Sequence, residues 1–329
     1  MIVGQGEHRY ELVEDWEQIP EGWRHGDVAG VATDAQDRVY VFNRSEHPLM
    51  IYERDGRFIK SWGEGIFTRP HGITIHEGIV YLADDSDHTV RKFTLDGELL
   101  QTLGTLNQPS DTGYKAPSLT TITRGGGPFN RPTRLSVATN GDLYVSDGYG
   151  NARIHRFSAK GELLQSWGGP GTGPGQFNLP HGVWAHSDGR VFVCDRENER
   201  VQIFSPDGEY LSEWSNMNRP GDLFIDGDNR VYIGEMNWWK GHFALTGFQW
   251  TENRMARMTV RDLDGNVLSH FGDEVNDADP CSAAKFTSPH GIWVDSQGDL
   301  YVGEVSQTSY EGTMYRPGCH SLQKFRRVG

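Results

Sequence analysis

The chain has 329 residues, 45 acidic against 31 basic, for a net charge of −14. That balance argues against nucleic-acid or anionic-membrane partners, which need clustered Lys and Arg, and no apolar run approaches the roughly 20 residues of a membrane helix. With 36% hydrophobic and 11% aromatic residues, the composition supports a sizeable core rather than disorder.

In chain order, the first sixteen residues, "MIVGQGEHRYELVEDW", lack a basic stretch followed by an apolar one, so no signal peptide is expected. Within them "RYELVEDW" (9–16) reads as a strand. A repeat of roughly 40 residues follows. It is clearest at 71–104, 133–168 and 181–215, where "HGITIHEGIVYLADD", "TRLSVATNGDLYVSDGYGNARIHRFS" and "HGVWAHSDGRVFVCDRENERVQIF" share one order. Each unit is a strand, a Gly/Asp turn, a "VYV" strand ending in Asp, a polar loop, a third strand, a "DG" turn and a last strand. Asp-Gly between alternating apolar runs is a hairpin signal. Fainter copies at 29–63, 221–272 and 290–329 bring the count to six. Four short strands per unit predict an all-β, six-bladed β-propeller spanning residues 1–329 as one domain. The sixth unit stops after three strands, so 9–16 is expected to supply its fourth and close the ring.

Most repeated residues need only a structural reading. Trp62, Trp167 and Trp214 are expected to pack between blades, and Asp84, Asp147 and Asp195 to accept bonds from loop amides. The three cysteines, Cys194, Cys281 and Cys319, are few and odd in number. This favours free thiols in a reducing compartment and a cytoplasmic location, with one disulfide left open.

Pro-His-Gly opens the second, fourth and sixth units, in "RPHGITI", "LPHGVWA" and "SPHGIWV". The first-strand position holds Ala29, His71, Thr133, His181, Gly221 and His290 in turn. With 13 histidines in the chain, six random positions would hold about a quarter of one, so the alternation is not accidental. The first strand of a blade is innermost, and alternate blades of six stand about 120° apart. Three neutral imidazoles converging in this way make a tripod with an open fourth position, the arrangement of a catalytic Zn2+. Imidazole also suits Fe, Co, Mn and Ni. The plainer alternative is three channel histidines bonded to water or backbone. Long insertions fall in the loops at the same ends, at 105–130, 237–256, 273–287 and 306–319. Of these, "NWWKGHFALTGFQW" (237–250) is expected to wall a pocket with its aromatics.

From "RPHGI" through "SDGYGNARIHRFS", "GPGQFNLPHGV" and "DRENERVQIF" to "SPHGI", the sequence resembles the catalytic core of peptidyl-α-hydroxyglycine α-amidating lyase, within the NHL-repeat propellers. The resemblance implies that His71, His181 and His290 hold zinc, that Tyr149 in "DGYGNARI" is catalytic, and that Arg44 in "FNR" and Arg196 in "DREN" are active-site arginines. It further implies cleavage of the C–N bond of an α-hydroxyglycine to an amide and glyoxylate. Three positions depart from the family pattern. Ser288 replaces a Met beside the last histidine, and Gly150 replaces a disulfide cysteine. Gly291 replaces an Asp that ligates calcium, which puts a structural Ca2+ on the carbonyls of Val31 and Ile73 in doubt. The expectation is therefore a zinc-dependent lyase acting on a carbinolamide-like small molecule. The alternatives are a zinc-dependent hydrolase on the same site and a non-enzymatic NHL propeller that binds a partner.

Overall fold

The protein is described from a computed structural model, which covers residues 1–273, 279, 281–307 and 319–329. The described residues hold 25 strands in six antiparallel sheets, the blades of a β-propeller. First strands run over Val28–Thr33, Pro70–His76, Pro132–Val137, Pro180–Ala185, Pro220–Ile225 and Pro289–Val294. Blades one to five have four strands each, ordered as they occur in the chain. In blade six, His8–Val13 lies beside the last strand, Leu322–Arg327, with Tyr10 opposite Arg327 and Val13 opposite Lys324. The closing strand expected from 9–16 is thus present. Ile2–Gln5 adds an unforeseen fifth strand by folding back as a hairpin, Ile2 opposite Glu11.

By density of contact the chain forms two compact units. One comprises Met1–Ile66, Gly221–His242 and Thr251–Gly329 and carries blades one, five and six. Its core is aromatic. Phe271 stacks on Phe286 and Phe325 at 5.8 and 5.3 Å between ring centres, and Trp16 packs on Tyr52 and Tyr301 at 5.6 and 5.5 Å. The other unit comprises Phe67–Pro220 and Phe243–Trp250 and carries blades two, three and four. Tyr81, Val90, Phe129, Leu143 and Phe157 fill the space between blades two and three. Tyr144, Ile154, Trp167, Val191 and Phe204 do the same between three and four. Facing sheets that interdigitate in this way drive folding by removing apolar area from water.

The cysteine expectation is corrected here. Cys281 and Cys319 are joined in a disulfide, and Cys194 remains a buried thiol. The two paired residues belong to different insertions of blade six, one leading into its first strand and one between its second and third. The blade brings those loop ends together, which a count of cysteines does not reveal. The rest of the 306–319 insertion lies largely outside the described residues.

Candidate functional site

In blades two, three, four and six the acid at the end of the second strand secures the loop that leads into the first strand. Asp84 accepts from the amides of Thr68 and Arg69, Asp147 from that of Asn130 at 2.9 Å, and Asp195 from that of Asn178 at 2.8 Å. Glu304 does the same for Thr287 at 2.7 Å, and in blade one the Asn43 side chain accepts from Gly26 at 3.1 Å. This is the structural role expected of these positions.

Pro-His-Gly owes its glycine to a close approach. A Cβ on residue 72 would lie 2.3 Å from the carbonyl oxygen of Thr133 in blade three. That carbonyl is the one that meets Nδ1 of His71, at 2.8 Å. A carbonyl only accepts, so Nδ1 carries the proton and the lone pair is on Nε2. His290 has the same arrangement in its own unit, Nδ1 lying 2.8 Å from the carbonyl of Ala29. Imidazoles that bind metal through Nε2 are characteristically oriented by such a bond at the other nitrogen. All three histidines are buried, and within one unit the rings of His71 and His181 stand 4.8 Å apart. Buried imidazoles, two of them oriented by backbone carbonyls, suit zinc as a donor set.

Tyr149 is buried in the same unit, beyond the second strand of blade three. Its loop is fastened to the 105–130 insertion: Thr112 donates to the carbonyl of Gly150 at 2.6 Å, and Gly126 donates its amide to Asn151 at 3.0 Å. At position 150 a Cβ would lie 2.0 Å from the Asn130 side-chain oxygen, so only glycine fits. The Tyr149 hydroxyl lies 3.3 Å from Nε2 of His181 and accepts a bond from Nη1 of Arg196 at 3.2 Å. Its ring packs at 72° to that of His71, 5.3 Å away. A phenol between a guanidinium donor and an imidazole is placed to carry a proton. Arg196, only 1% exposed, is steadied by Glu197, whose Oε1 accepts from it at 2.9 Å and from Arg219 at 2.7 Å. Burial pushes the Glu197 carboxyl up, but Arg219 and Arg196 outweigh it and hold the group below the usual carboxylate range.

Two arginines absent from the sequence expectations join this cluster. The guanidiniums of Arg69, Arg131 and Arg196 lie 5.7, 5.3 and 5.3 Å from the centre of the Tyr149 ring. Asp85 pairs with both Arg69 and Arg131. The available signal was the dipeptide Arg-Pro, which opens the first strands of blades two, three and five at Arg69, Arg131 and Arg219.

Arg44 lies in the other unit. Its Nη1 meets Asp27 at 3.3 Å, and it lines a cavity of about 760 Å³ with Trp23, Arg24, His47 and Gln307. The 237–250 insertion divides between the units. Leu245 packs against the Tyr149 cluster with Leu119, Ile122 and Leu179, and Trp250 stacks under Arg219 at 5.0 Å. Phe243 and Phe248, expected as wall residues, are instead exposed at 67% and 58%, because the turn from Ala244 to Phe248 points them outward. Of the two carbonyls that a structural calcium would use, that of Ile73 accepts a bond from the buried Arg134 guanidinium.

The NHL repeat profile matches residues 129–157 and 177–204, the cores of blades three and four. The chain is 36% identical over 221 residues to human NHL repeat-containing protein 3, covering 63% of this chain and 60% of that one. It is 29% identical over 274 residues to peptidyl-α-hydroxyglycine α-amidating lyase 1 of Drosophila melanogaster, covering 78% and 47%. Against the peptidylglycine α-amidating monooxygenase of Rattus norvegicus it is 27% identical over 342 residues, covering 88% of this chain but 32% of that one. The chain thus spans about a third to three fifths of these relatives. Virginiamycin B lyase from Staphylococcus aureus shares the fold, with TM-score 0.59 and 14% identity over 97% of this chain and 100% of that one. On repeats, fold and homology together, the chain is an NHL-repeat β-propeller that resembles the peptidyl-α-hydroxyglycine α-amidating lyases.

Proposed function

We propose that the protein is a metal-dependent lyase that cleaves the C–N bond of a carbinolamide-like small molecule. The observation that carries this reading is the Tyr149 hydroxyl set between Arg196 and His181, with His71 oriented beside it by a backbone carbonyl. In this reading His71, His181 and His290 hold one zinc ion, which when bound would supply Lewis-acid polarisation of an oxygen. The chain's own residues do the rest. Tyr149 takes the proton of the carbinol hydroxyl, the C–N bonding electrons leave on nitrogen, and the proton returns to that nitrogen, giving an amide and an aldehyde. Arg196 holds the anionic end of the substrate through its N–H donors.

The test is glyoxylate release from an N-acyl-α-hydroxyglycine, with elemental analysis of protein purified without chelator. About one equivalent of transition metal and glyoxylate formation are expected. Metal without glyoxylate formation, but with turnover of an ester or amide, would move the reading to a hydrolase. The similarity to NHL repeat-containing protein 3, whose name states no activity, favours a second reading as a non-enzymatic binding propeller. Protein free of metal and inert to both substrates would establish it. A cytoplasmic location drew on free thiols at Cys281 and Cys319, and their pairing removes that ground.

A further inference from the structure

The fourth strand is the outer edge of a blade's sheet. In blades two, three and four, which share one unit, it runs over Leu99–Gly104, Leu163–Trp167 and Tyr210–Trp214. Each of these edges opens on an apolar pair, Leu99 and Leu100, Leu163 and Leu164, Tyr210 and Leu211, and all six residues are exposed, at 36% to 54%. A bulge accounts for the pairs. Leu99 lies opposite Phe93 and Gln101 opposite Lys92, so the register passes over Leu100. It passes over Leu164 and Leu211 in the same way. A bulge re-aims the side chains around it, and here it presents two apolar groups to solvent at each edge. The edges are also bonded sideways. Gln101 donates to the carbonyl of Lys160 at 2.7 Å, and Gln165 to that of Asp207 at 2.6 Å.

Blade one carries the same bulge at Ile59, yet its pair, Phe58 and Ile59, is only partly exposed. The chain covers it with its own residues 14–23. Trp23 meets Phe58 edge-on at 5.5 Å, and Gln18 pairs with Arg57 and donates its amide to Gly56 at 2.9 Å. That segment, "EDWEQIPEGW", holds four acids and no base, and it passes beside Arg57. In blades two, three and four the residue in that place is an exposed glutamate, Glu98, Glu162 or Glu209. Asp207 is paired with Arg156 and Lys160 stands two residues before Glu162, so the reversal of sign rests on these three glutamates.

We propose that the edges of blades two, three and four dock an extended segment of a protein partner that is basic and carries aromatic side chains, the charge-reversed counterpart of residues 14–23. Its aromatic groups cover the apolar pairs as Trp23 covers Phe58, and its lysines or arginines meet Glu98, Glu162 and Glu209. A second copy of this chain fits less well, because each copy carries a net charge of −14 and like edges would set glutamate against glutamate. None of these residues belongs to the site around Tyr149, so the docking surface stands apart from the lyase reading.

The experiment is calorimetric titration of the full chain with two ten-residue peptides blocked at both ends. One has the sequence of residues 14–23, and the other has lysine at its four acidic positions. The lysine peptide should bind at least about 10-fold more tightly, and the margin should shrink at about 0.5 M salt. Net charge alone would draw a basic peptide to an acidic protein, so the deciding variant leaves charge untouched. Leu100→Ser, Leu164→Ser and Leu211→Ser combined change exposed positions and should fold, yet weaken the lysine peptide about 10-fold. Glu98→Lys, Glu162→Lys and Glu209→Lys combined should invert the preference between the peptides. Unchanged affinity in the leucine variant would reduce the attraction to net charge and overturn the proposal, as would equal binding of both peptides by the parent protein. A dimer of the parent protein in sedimentation that the leucine variant abolishes would assign the surface to self-association instead. Metal content and glyoxylate formation should be the same in the parent and both variants, so failure of the docking surface and failure of the lyase reading are told apart.

Discussion

At one position of the shared repeat, blades two and six part from blades one and three in a regular way. The former place histidine there, the latter Ala29 and Thr133. The residues without an imidazole are not idle. Thr133 gives its carbonyl to His71 and Ala29 gives its carbonyl to His290. The Thr133 hydroxyl is itself spent on structure, donating to the carbonyl of His181 at 2.8 Å and meeting Ser146 at 2.8 Å. Each of these two imidazoles and the carbonyl that orients it therefore stand on neighbouring blades. Alternation in the sequence supplies both from one motif, and no blade has to carry the two roles together.

The comparison fails if the blades do not fold as a closed set, and that is the largest effect to test. Deleting residues 1–16 removes the strand that completes blade six, with buried Tyr10 and Trp16. Truncating one large buried aromatic costs about 3–5 kcal/mol, so losing two should consume most of a stability of about 5–15 kcal/mol. Chemical unfolding reads this directly. A truncated chain within about 1 kcal/mol of the intact one would show that blade six does not depend on the strand.

Next is the difference between ligand and scaffold. His181→Ala should strip the metal and abolish turnover while leaving the circular dichroism spectrum of the sheets intact. Full activity in that variant would return the histidines to the plainer role of channel-lining groups. Tyr149→Phe probes the neighbouring proton path. It keeps the ring under Arg69, Arg131 and Arg196 and removes only the oxygen that contacts Arg196 and His181. A fall of about 10²–10⁴-fold in kcat is expected for lost acid–base work. An unchanged kcat would leave Tyr149 as packing.

The blades were legible in the sequence because burial on one face forces a two-residue period, and Asp-Gly marks where the chain turns back. The histidines were legible because they break the repeat in a regular way. Other features depend on where loops travel, and period says nothing about that. Arg69 and Arg131 reach Tyr149 from loop ends, each fixed by a bond to its backbone amide. Cys281 and Cys319 meet only because two insertions of one blade end side by side. In the 237–250 insertion the composition promised a wall of aromatics, but a tight turn sets Phe243 and Phe248 outward. Ile2–Gln5 is too short a run to have shown its period.

A milder substitution separates the two jobs at the odd-blade position. Thr133→Val keeps the carbonyl that orients His71 and removes the hydroxyl that serves His181 and Ser146. The His181 carbonyl still accepts from Ser146, so the loss should be that of one hydrogen bond, about 0.5–1.5 kcal/mol in thermal or chemical unfolding. Metal content should be unchanged, because the His71 contact is to backbone. Loss of metal in Thr133→Val would mean that the hydroxyl, and not the carbonyl, is what blade three contributes to the site.

The smallest expected effect is none at all, and it concerns calcium. A cation bridging carbonyls would need Ile73 as an acceptor, and Arg134 of blade three already donates to it. The guanidinium is covalently part of the neighbouring blade, it is buried, and it supplies the positive charge that a bound ion would bring. Here too, blade three provides what blade two uses. Adding calcium, or removing it with a chelator selective for it over transition metals, should therefore shift the melting temperature by less than about one degree, whereas Arg134→Ala should lower stability by about 1–3 kcal/mol by stranding the Ile73 carbonyl. Calcium should rescue part of that loss only if the vacated space can gather enough oxygen ligands, and six are the usual minimum. With Gly291 offering no carboxylate, rescue is not expected. A calcium-dependent rise in the melting temperature of the unmodified chain would overturn the assignment of Arg134 as the cation of blades two and three.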